Sequence, residues 1–248
     1  MYCYGEKIVL KCFYNLCRIC ACLLIRNDKG ITMKNYDVVL FDFDGTFADT
    51  GEGLFESVQS AVRALGFEPL DNATLRRFIG PPVYESFKRE LPINDEQADF
   101  AVTKYREAYA KEGITKLKIY DGNLELLKEL KESGIKAAVA SAKPQKFLIK
   151  IVANLGLEDY FEYISAPADD KADPSKVKLI EKAAEALKAD KSRVLMVGDR
   201  YFDIAGANGA GVDSVGVTFG YGSEAELRDA GATFIAHSVA EVRKVIFR

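Results

Sequence analysis

The 248-residue chain has no tryptophan, a single histidine, and no cysteine after residue 22. With His237 alone, metal sites built from several histidines and catalysis that draws on more than one lose their support. His237 could act as a lone base, but a surface or core role is the plainer expectation. A body free of cysteine excludes a disulfide framework and suits a reducing cytoplasm. The formal net charge is -3, so neither nucleic acid nor an anionic membrane is indicated as the main partner. Long apolar runs are missing as well. Residues 8–25 are apolar but broken by Lys11 and Arg18, and the longest uncharged run, 19–25, is far short of the roughly 20 residues a spanning helix needs. No membrane span is expected, and no clear secretory cleavage site is present.

Five cysteines, Cys3, Cys12, Cys17, Cys20 and Cys22, crowd the beginning of the chain. Cys17 and Cys20 form a CxxC, but it has no second pair and no nearby histidine, and a closed zinc site needs about four ligands. Met33 falls just before the first strand pattern. Residues 1–34 are therefore expected to be an N-terminal extension without a function of its own; a peripheral anchor is the lesser alternative.

The stretch Val38-Val39-Leu40-Phe41-Asp42-Phe43-Asp44-Gly45-Thr46 stands at the centre of what is present. Four apolar residues running into Asp-x-Asp-Gly-Thr predict a buried parallel strand that breaks at a sharp turn. Both carboxylates are then left at the carboxyl edge of a sheet, where open α/β folds bind their ligands. Two close carboxylates raise each other's pKa unless a cation lies between them, and an oxygen-rich Mg2+ site resolves that conflict. A strand followed by a plain Asp-Gly turn is the competing reading of these letters alone.

Downstream, Asp49 or Thr50 can cap a helix whose apolar residues Leu54, Val58, Ala61, Val62 and Leu65 recur at helical spacing. Further helices are expected over 73–79, 84–91 and 96–111, punctuated by Gly80-Pro81-Pro82 and Leu91-Pro92. No strand pattern occurs between residue 52 and about 116, which makes 52–116 a small helical insert. The core is then 35–51 together with 117–248. From Tyr120-Asp121-Gly122 onward helices and strands alternate: strands over 136–140, 163–165, 193–197 and 214–217, helices over 124–132, 146–155, 176–187, 203–210 and 224–230. This alternation predicts an α/β fold with a Rossmann-like parallel sheet covered by helices on both faces.

Three strand ends carry polar groups: Asp42 with Asp44, Ser141, and Asp199 with Asp203. Lys176, ahead of a helix, is the natural fourth member. Each has a plain alternative, Ser141 as a helix cap or Asp199 as a turn residue, yet together they occupy the ends of successive strands of one sheet. In this order, Asp42-Phe43-Asp44-Gly45-Thr46, Ser141, Lys176 and Gly198-Asp199-Arg200-Tyr201-Phe202-Asp203 resemble the four motifs of the haloacid dehalogenase-like hydrolase superfamily. The insert resembles that superfamily's C1 cap. Phe78-Ile79-Gly80-Pro81-Pro82, Ala142-Lys143-Pro144 and Phe219-Gly220-Tyr221-Gly222-Ser223 are similar to stretches of its phosphoglycolate phosphatase-like branch. Lys171 and Lys178 compete for the lysine's place, with Lys176 preferred because it opens the following helix.

The resemblance implies a phosphatase. Asp42 would attack phosphorus and carry an aspartyl-phosphate, while Asp44 would protonate the leaving oxygen and then activate water. Mg2+ would be held by the Asp42 carboxylate, the Asp44 carbonyl and Asp199, with Asp203 behind them. Lys176, Ser141, Gly45, Thr46 and Ala142 would surround the phosphate. Asp44 argues against carbon–halogen cleavage, and an insert without histidine argues against sugar phosphomutases. Specificity is expected from the cap, with Gly80 and Pro81 on a loop reaching the site and Arg76, Arg77 or Lys88 available to a second anionic group, unless they form a solvated face. The expected partner is a small phosphorylated metabolite, 2-phosphoglycolate slightly ahead of a nucleoside monophosphate or sugar phosphate. A catalytically idle binding module is the alternative of a different class. The protein is expected to be a monomer or homodimer.

Overall fold

Strand β1 (Val38–Phe41) is buried along its whole length because it is paired on both sides, with β4 (Lys136–Ala140) and β6 (Val194–Gly198). The computed structural model describes residues 36–168 and 175–248. The extension, its CxxC and Lys171 lie outside the described residues.

Six parallel strands form the main sheet in the order β5-β4-β1-β6-β7-β8, with β5 at Phe161–Ser165, β7 at Asp213–Val217 and β8 at Phe234–Ala236. Parallel pairing requires a crossover between strands, and helices supply it. Helices α7 (Lys176–Ala186) and α8 (Tyr201–Ala210) cover one face through Ile180, Ala183 and Ala207, against Val38 and Leu40. The opposite face takes α5 (Asn123–Glu132), α6 (Gln145–Asn154) and α10 (Val239–Ile246) against Val39 and Phe41. Alternate residues of one buried strand thus feed two cores, as the two-residue period of a strand requires. This is the expected α/β architecture.

The insert is helical as anticipated: α1 (Gly51–Ala64), α2 (Asn72–Arg76), α3 (Val83–Glu90) and α4 (Asp95–Lys111). Helix α2 is shorter than the predicted 73–79. Its chain continues as tight turns, Phe78 N–H to Leu75 and Ile79 N–H to Arg76, since Pro81 and Pro82 bar a continuing helix. Helix α4 has the capping box that Asn94 and Gln97 encode. For α1, Thr50 is the N-cap but makes no side-chain cap bond, and its hydroxyl serves another partner.

Two features escape the periodicity argument. Strands β2 (Ala48–Asp49) and β3 (Lys118–Ile119) form a two-residue antiparallel ladder where the chain enters and leaves the insert. Strand β8 and helix α10 extend the fold beyond the predicted last helix at 224–230; β8, with only three residues, is too short to show a period. Among the described residues, no helix is long and apolar enough to cross a membrane.

Candidate active site

Asp42 follows β1 directly, and its backbone N–H donates to the Val197 carbonyl of β6 at 2.9 Å. The carboxylate is buried, so it needs a counter-charge. Lys176, the first residue of α7, supplies one: its Nζ donates to Asp42 Oδ1 at 2.9 Å and to the Ala140 carbonyl at 2.9 Å, and lies 2.7 Å from Asp203 Oδ1. Asp203 sits in the first turn of α8, where its other oxygen accepts the Arg200 N–H at 3.0 Å. Asp199, immediately after β6, is fully buried and accepts from the Thr46 hydroxyl at 3.0 Å and the Tyr221 N–H at 2.8 Å. Lys178 is exposed on α7 and does not share this position.

Asp42, Asp199 and Asp203 each place a carboxylate oxygen within 4.8 Å of the others. Three buried carboxylates face one ammonium, leaving two negative charges uncompensated if all are ionised. Burial pushes Asp203 up to about 6, with Asp42 adding to the rise and Lys176 opposing it. Burial also raises Asp199 well above the usual carboxylate range, reinforced by the charges of Asp203 and Asp42. Burial alone would lower Lys176, but Asp203 and Asp42 outweigh it and hold the ammonium above its ordinary pKa. An all-oxygen cluster with surplus negative charge fits a hard divalent cation. The backbone leaves no room for bulk beside it. Gly45 has φ +86°, and a Cβ there would lie 2.5 Å from Asp199 Oδ2 and 2.5 Å from the Tyr221 ring.

Asp44 is held differently. Lys143 Nζ bridges both its oxygens at 2.8 and 2.7 Å, and Thr50 donates its hydroxyl at 2.6 Å. Lys143 is buried, and its ammonium lies over the Tyr109 ring of α4, 4.8 Å from the centroid. Burial is the largest single influence and would depress this lysine, but Asp44, with Tyr109 and Tyr105 adding to its effect, outweighs burial and raises it. Lys143 has no role assigned from the sequence. Its position two residues beyond a strand-ending serine, ahead of a proline, was the available signal. Asn123 likewise has no role assigned from the sequence: buried at the start of α5, it donates to the Thr46 and Phe47 carbonyls at 3.1 and 2.9 Å and pins the loop after β1.

Ser141 ends β4, donating its N–H to the Ser165 carbonyl at 3.1 Å and accepting the Lys143 N–H on its hydroxyl at 3.3 Å. Asp42, Asp44, Ser141, Ala142 and Lys143 line a cavity of about 930 Å3 whose other wall is formed by the insert. Gly80 and Pro81, on the loop between α2 and α3, line it too. Gly80 has φ +104°, and a Cβ there would lie 2.7 Å from the Phe202 ring. Arg200 secures the same loop, donating to the Ile79 carbonyl at 2.6 Å. Thr46 does not line the cavity, its hydroxyl being directed to Asp199 instead. Arg76 and Arg77 are exposed and also stand outside the cavity lining; Arg77 pairs with Glu90 at 2.9 Å. Lys88 pairs with Asp95.

Comparison with known proteins agrees with this geometry. The family model for haloacid dehalogenase-like hydrolases matches residues 39–217, a span that takes in every carboxylate and lysine described above. A 5'-nucleotidase of Pseudomonas aeruginosa is 35% identical over 211 residues, covering 85% of this chain and 96% of its own. A phosphoglycolate phosphatase of Vibrio parahaemolyticus is 28% identical over 225 residues, covering 87% and 98%. The crystal structure of a predicted phosphatase from Clostridium acetobutylicum superposes with a TM-score of 0.80 at 36% identity, covering 86% of this chain and 99% of that one. With sheet order, carboxylate cluster and similarity over most of the chain in agreement, the chain belongs to the haloacid dehalogenase-like hydrolase family.

Proposed function

We propose that the protein is a Mg2+-dependent phosphatase that hydrolyses a small phosphomonoester through an aspartyl-phosphate on Asp42, within the phosphoglycolate phosphatase-like part of its family. The observation that carries this reading is the pairing of two aspartates, two residues apart, with two different lysines. Lys176 holds Asp42 within the buried carboxylate cluster, and Lys143 holds Asp44 at the cavity wall. Two carboxylates with separate surroundings can take separate tasks.

In the first step an Asp42 oxygen attacks phosphorus, the bond from phosphorus to the leaving oxygen breaks, and Asp44 gives that oxygen a proton. In the second, Asp44 takes a proton from water, which attacks phosphorus and releases inorganic phosphate and the Asp42 carboxylate. Asp42, Asp199 and the Asp44 carbonyl are suited to hold Mg2+, with Asp203 behind them. When bound, the ion supplies the positive charge that lets these carboxylates stay ionised beside a phosphate. Lys176, Ser141 and the backbone around Gly45 and Ala142 receive the phosphate oxygens. Thr50 and Lys143 fix the direction of Asp44.

Residues 52–116 act as a cap that opens and closes over the cavity, with hinges at Thr50-Gly51 and Leu117-Lys118 beside the β2–β3 ladder. The cysteine-free main body supports a cytoplasmic setting. Phosphate release from phenyl phosphate, measured with and without Mg2+, tests the reading. Release that requires Mg2+ and disappears in Asp42→Asn without loss of fold is the expected result. An Asp42→Asn protein that turns over at the normal rate would refute the mechanism.

A further inference from the structure

The cavity over Asp44 is far larger than a two-carbon leaving group needs. At about 930 Å3 it lies near the upper end of the range of roughly 300–1,000 Å3 typical of sites for drug-sized ligands. Its walls are aromatic. Phe78, Tyr84, Tyr105 and Tyr109 contribute from the insert, and Phe147 and Phe202 from the core. Tyr105 and Tyr109 stack at 5.7 Å with 21° between their planes, and Phe147 meets Tyr109 edge-on at 5.2 Å. Surfaces of this kind pack best against another planar ring.

The charges argue the same way. On the insert side the lining carries one guanidinium, Arg106, against two carboxylates, Glu85 and Asp99. Lys143, the cation near the catalytic end, is already bridged to both oxygens of Asp44. A leaving group with its own carboxylate would therefore meet a wall of net negative charge. An uncharged one meets no such penalty.

Tyr109 adds a specific demand. It is 1% exposed, lines this cavity, and its hydroxyl has no hydrogen-bond partner. The Lys143 ammonium lies 4.8 Å from the ring centroid and acts on the hydroxyl electrostatically, but both its short contacts go to Asp44, and it makes no well-formed hydrogen bond to the hydroxyl. A buried hydroxyl left without a partner is costly, and one on a cavity wall beside the reacting groups is most simply explained by a ligand that supplies the partner.

We infer that the cavity takes a phosphomonoester whose leaving group is uncharged, planar at its far end and polar near the phosphate: a nucleoside 5'-monophosphate, with Tyr109 as a specificity-determining residue that hydrogen-bonds the sugar while the aromatic walls pack on the base. This assignment rests on the phosphatase reading above and names the substrate class of that same site.

The test is kcat/KM for phosphate release with Mg2+ from nucleoside 5'-monophosphates, ribose 5-phosphate, 2-phosphoglycolate and phenyl phosphate, in the wild type and in Tyr109→Phe. The phenylalanine keeps the ring that faces Lys143 and removes only the hydroxyl. The expected result is at least a tenfold preference for a nucleotide over the other three. In Tyr109→Phe the nucleotide should lose tenfold or more, phenyl phosphate clearly less, and the Tm should not fall. Activity on 2-phosphoglycolate, ribose 5-phosphate or phenyl phosphate equal to that on nucleotides would overturn the nucleoside assignment and leave the phosphatase reading standing. An equal loss on every substrate together with a lower Tm would make Tyr109 structural and overturn its role. Release from none of the four would overturn both readings.

Discussion

At the scale of residues, the two aspartates after β1 differ by what surrounds them rather than by their own chemistry. Asp42 shares Lys176 with Asp203 in a buried cluster, while Asp44 is gripped by Lys143 and Thr50 at the edge of the cavity. Lys143 touches Asp44 and is a positioning residue for the proton transfers assigned to it. Removing its charge while keeping its length, in Lys143→Met, should lower kcat by on the order of a hundredfold, the lower range of what a placed acid–base group contributes. KM should change much less. The loss should shrink for p-nitrophenyl phosphate, whose leaving oxygen has little need of a proton, compared with an alkyl phosphate. Equal losses on both substrates would mean that Lys143 serves the fold or the phosphate instead.

At the scale of elements, one loop of the cap is gripped directly by the core. Ile79 offers its carbonyl to Arg200, and Gly80 lies against the Phe202 ring, so the cap loop is held by the N-cap and first turn of α8, the turn that also carries Asp203. Arg200 is itself oriented by Glu226 at 2.9 Å. A charge-assisted hydrogen bond of this kind contributes about 1.5 kcal/mol or more, close to a tenfold bias toward the closed arrangement. Arg200→Met should therefore raise KM and lower kcat together by several-fold, and should speed proteolytic cleavage near residues 79–82. Unchanged kinetics with faster cleavage would separate the loop's mobility from catalysis and contradict the proposed gating.

At the scale of the molecule, the excess negative charge of Asp42, Asp199 and Asp203 makes the folded state sensitive to a bound cation. Mg2+ that binds only the folded protein stabilises it by about 2.7 kcal/mol at a hundred times its Kd. The wild type should show a Tm that rises with Mg2+, and Asp199→Asn should abolish most of that rise. A rise of the same size in both proteins would place the ion elsewhere.

Much of this architecture could be read from the sequence because it is written in strong local signals. The run 38–41 into Asp-x-Asp, the strand-ending Ser141 and Asp199, and the helical insert all follow from periodicity and turn chemistry. Lys143, Tyr109 and Asn123 could not be read in the same way. Their roles depend on which side chains the fold brings together from 99, 65 or 77 positions away: Asp44 for Lys143 and for Tyr109, and Thr46 for Asn123. The ladder of β2 and β3 is likewise too short to have a period, and while Thr50 is the N-cap of α1, the turn of its hydroxyl to Asp44, six residues back, depends on how the loop after β1 folds. Arg76 and Arg77 show the converse, since charged residues near a key loop in sequence can still lie on the outer face.

The covalent role of Asp42 is the claim on which the rest depends. Rapid quenching during turnover with Mg2+, followed by mass spectrometry of the digested protein, measures it directly. A phosphate adduct on the peptide containing Asp42, labile to hydroxylamine and missing from Asp42→Asn, is the predicted result. Sustained turnover with no adduct on that peptide, together with activity retained in Asp42→Asn, would contradict the mechanism proposed for the site.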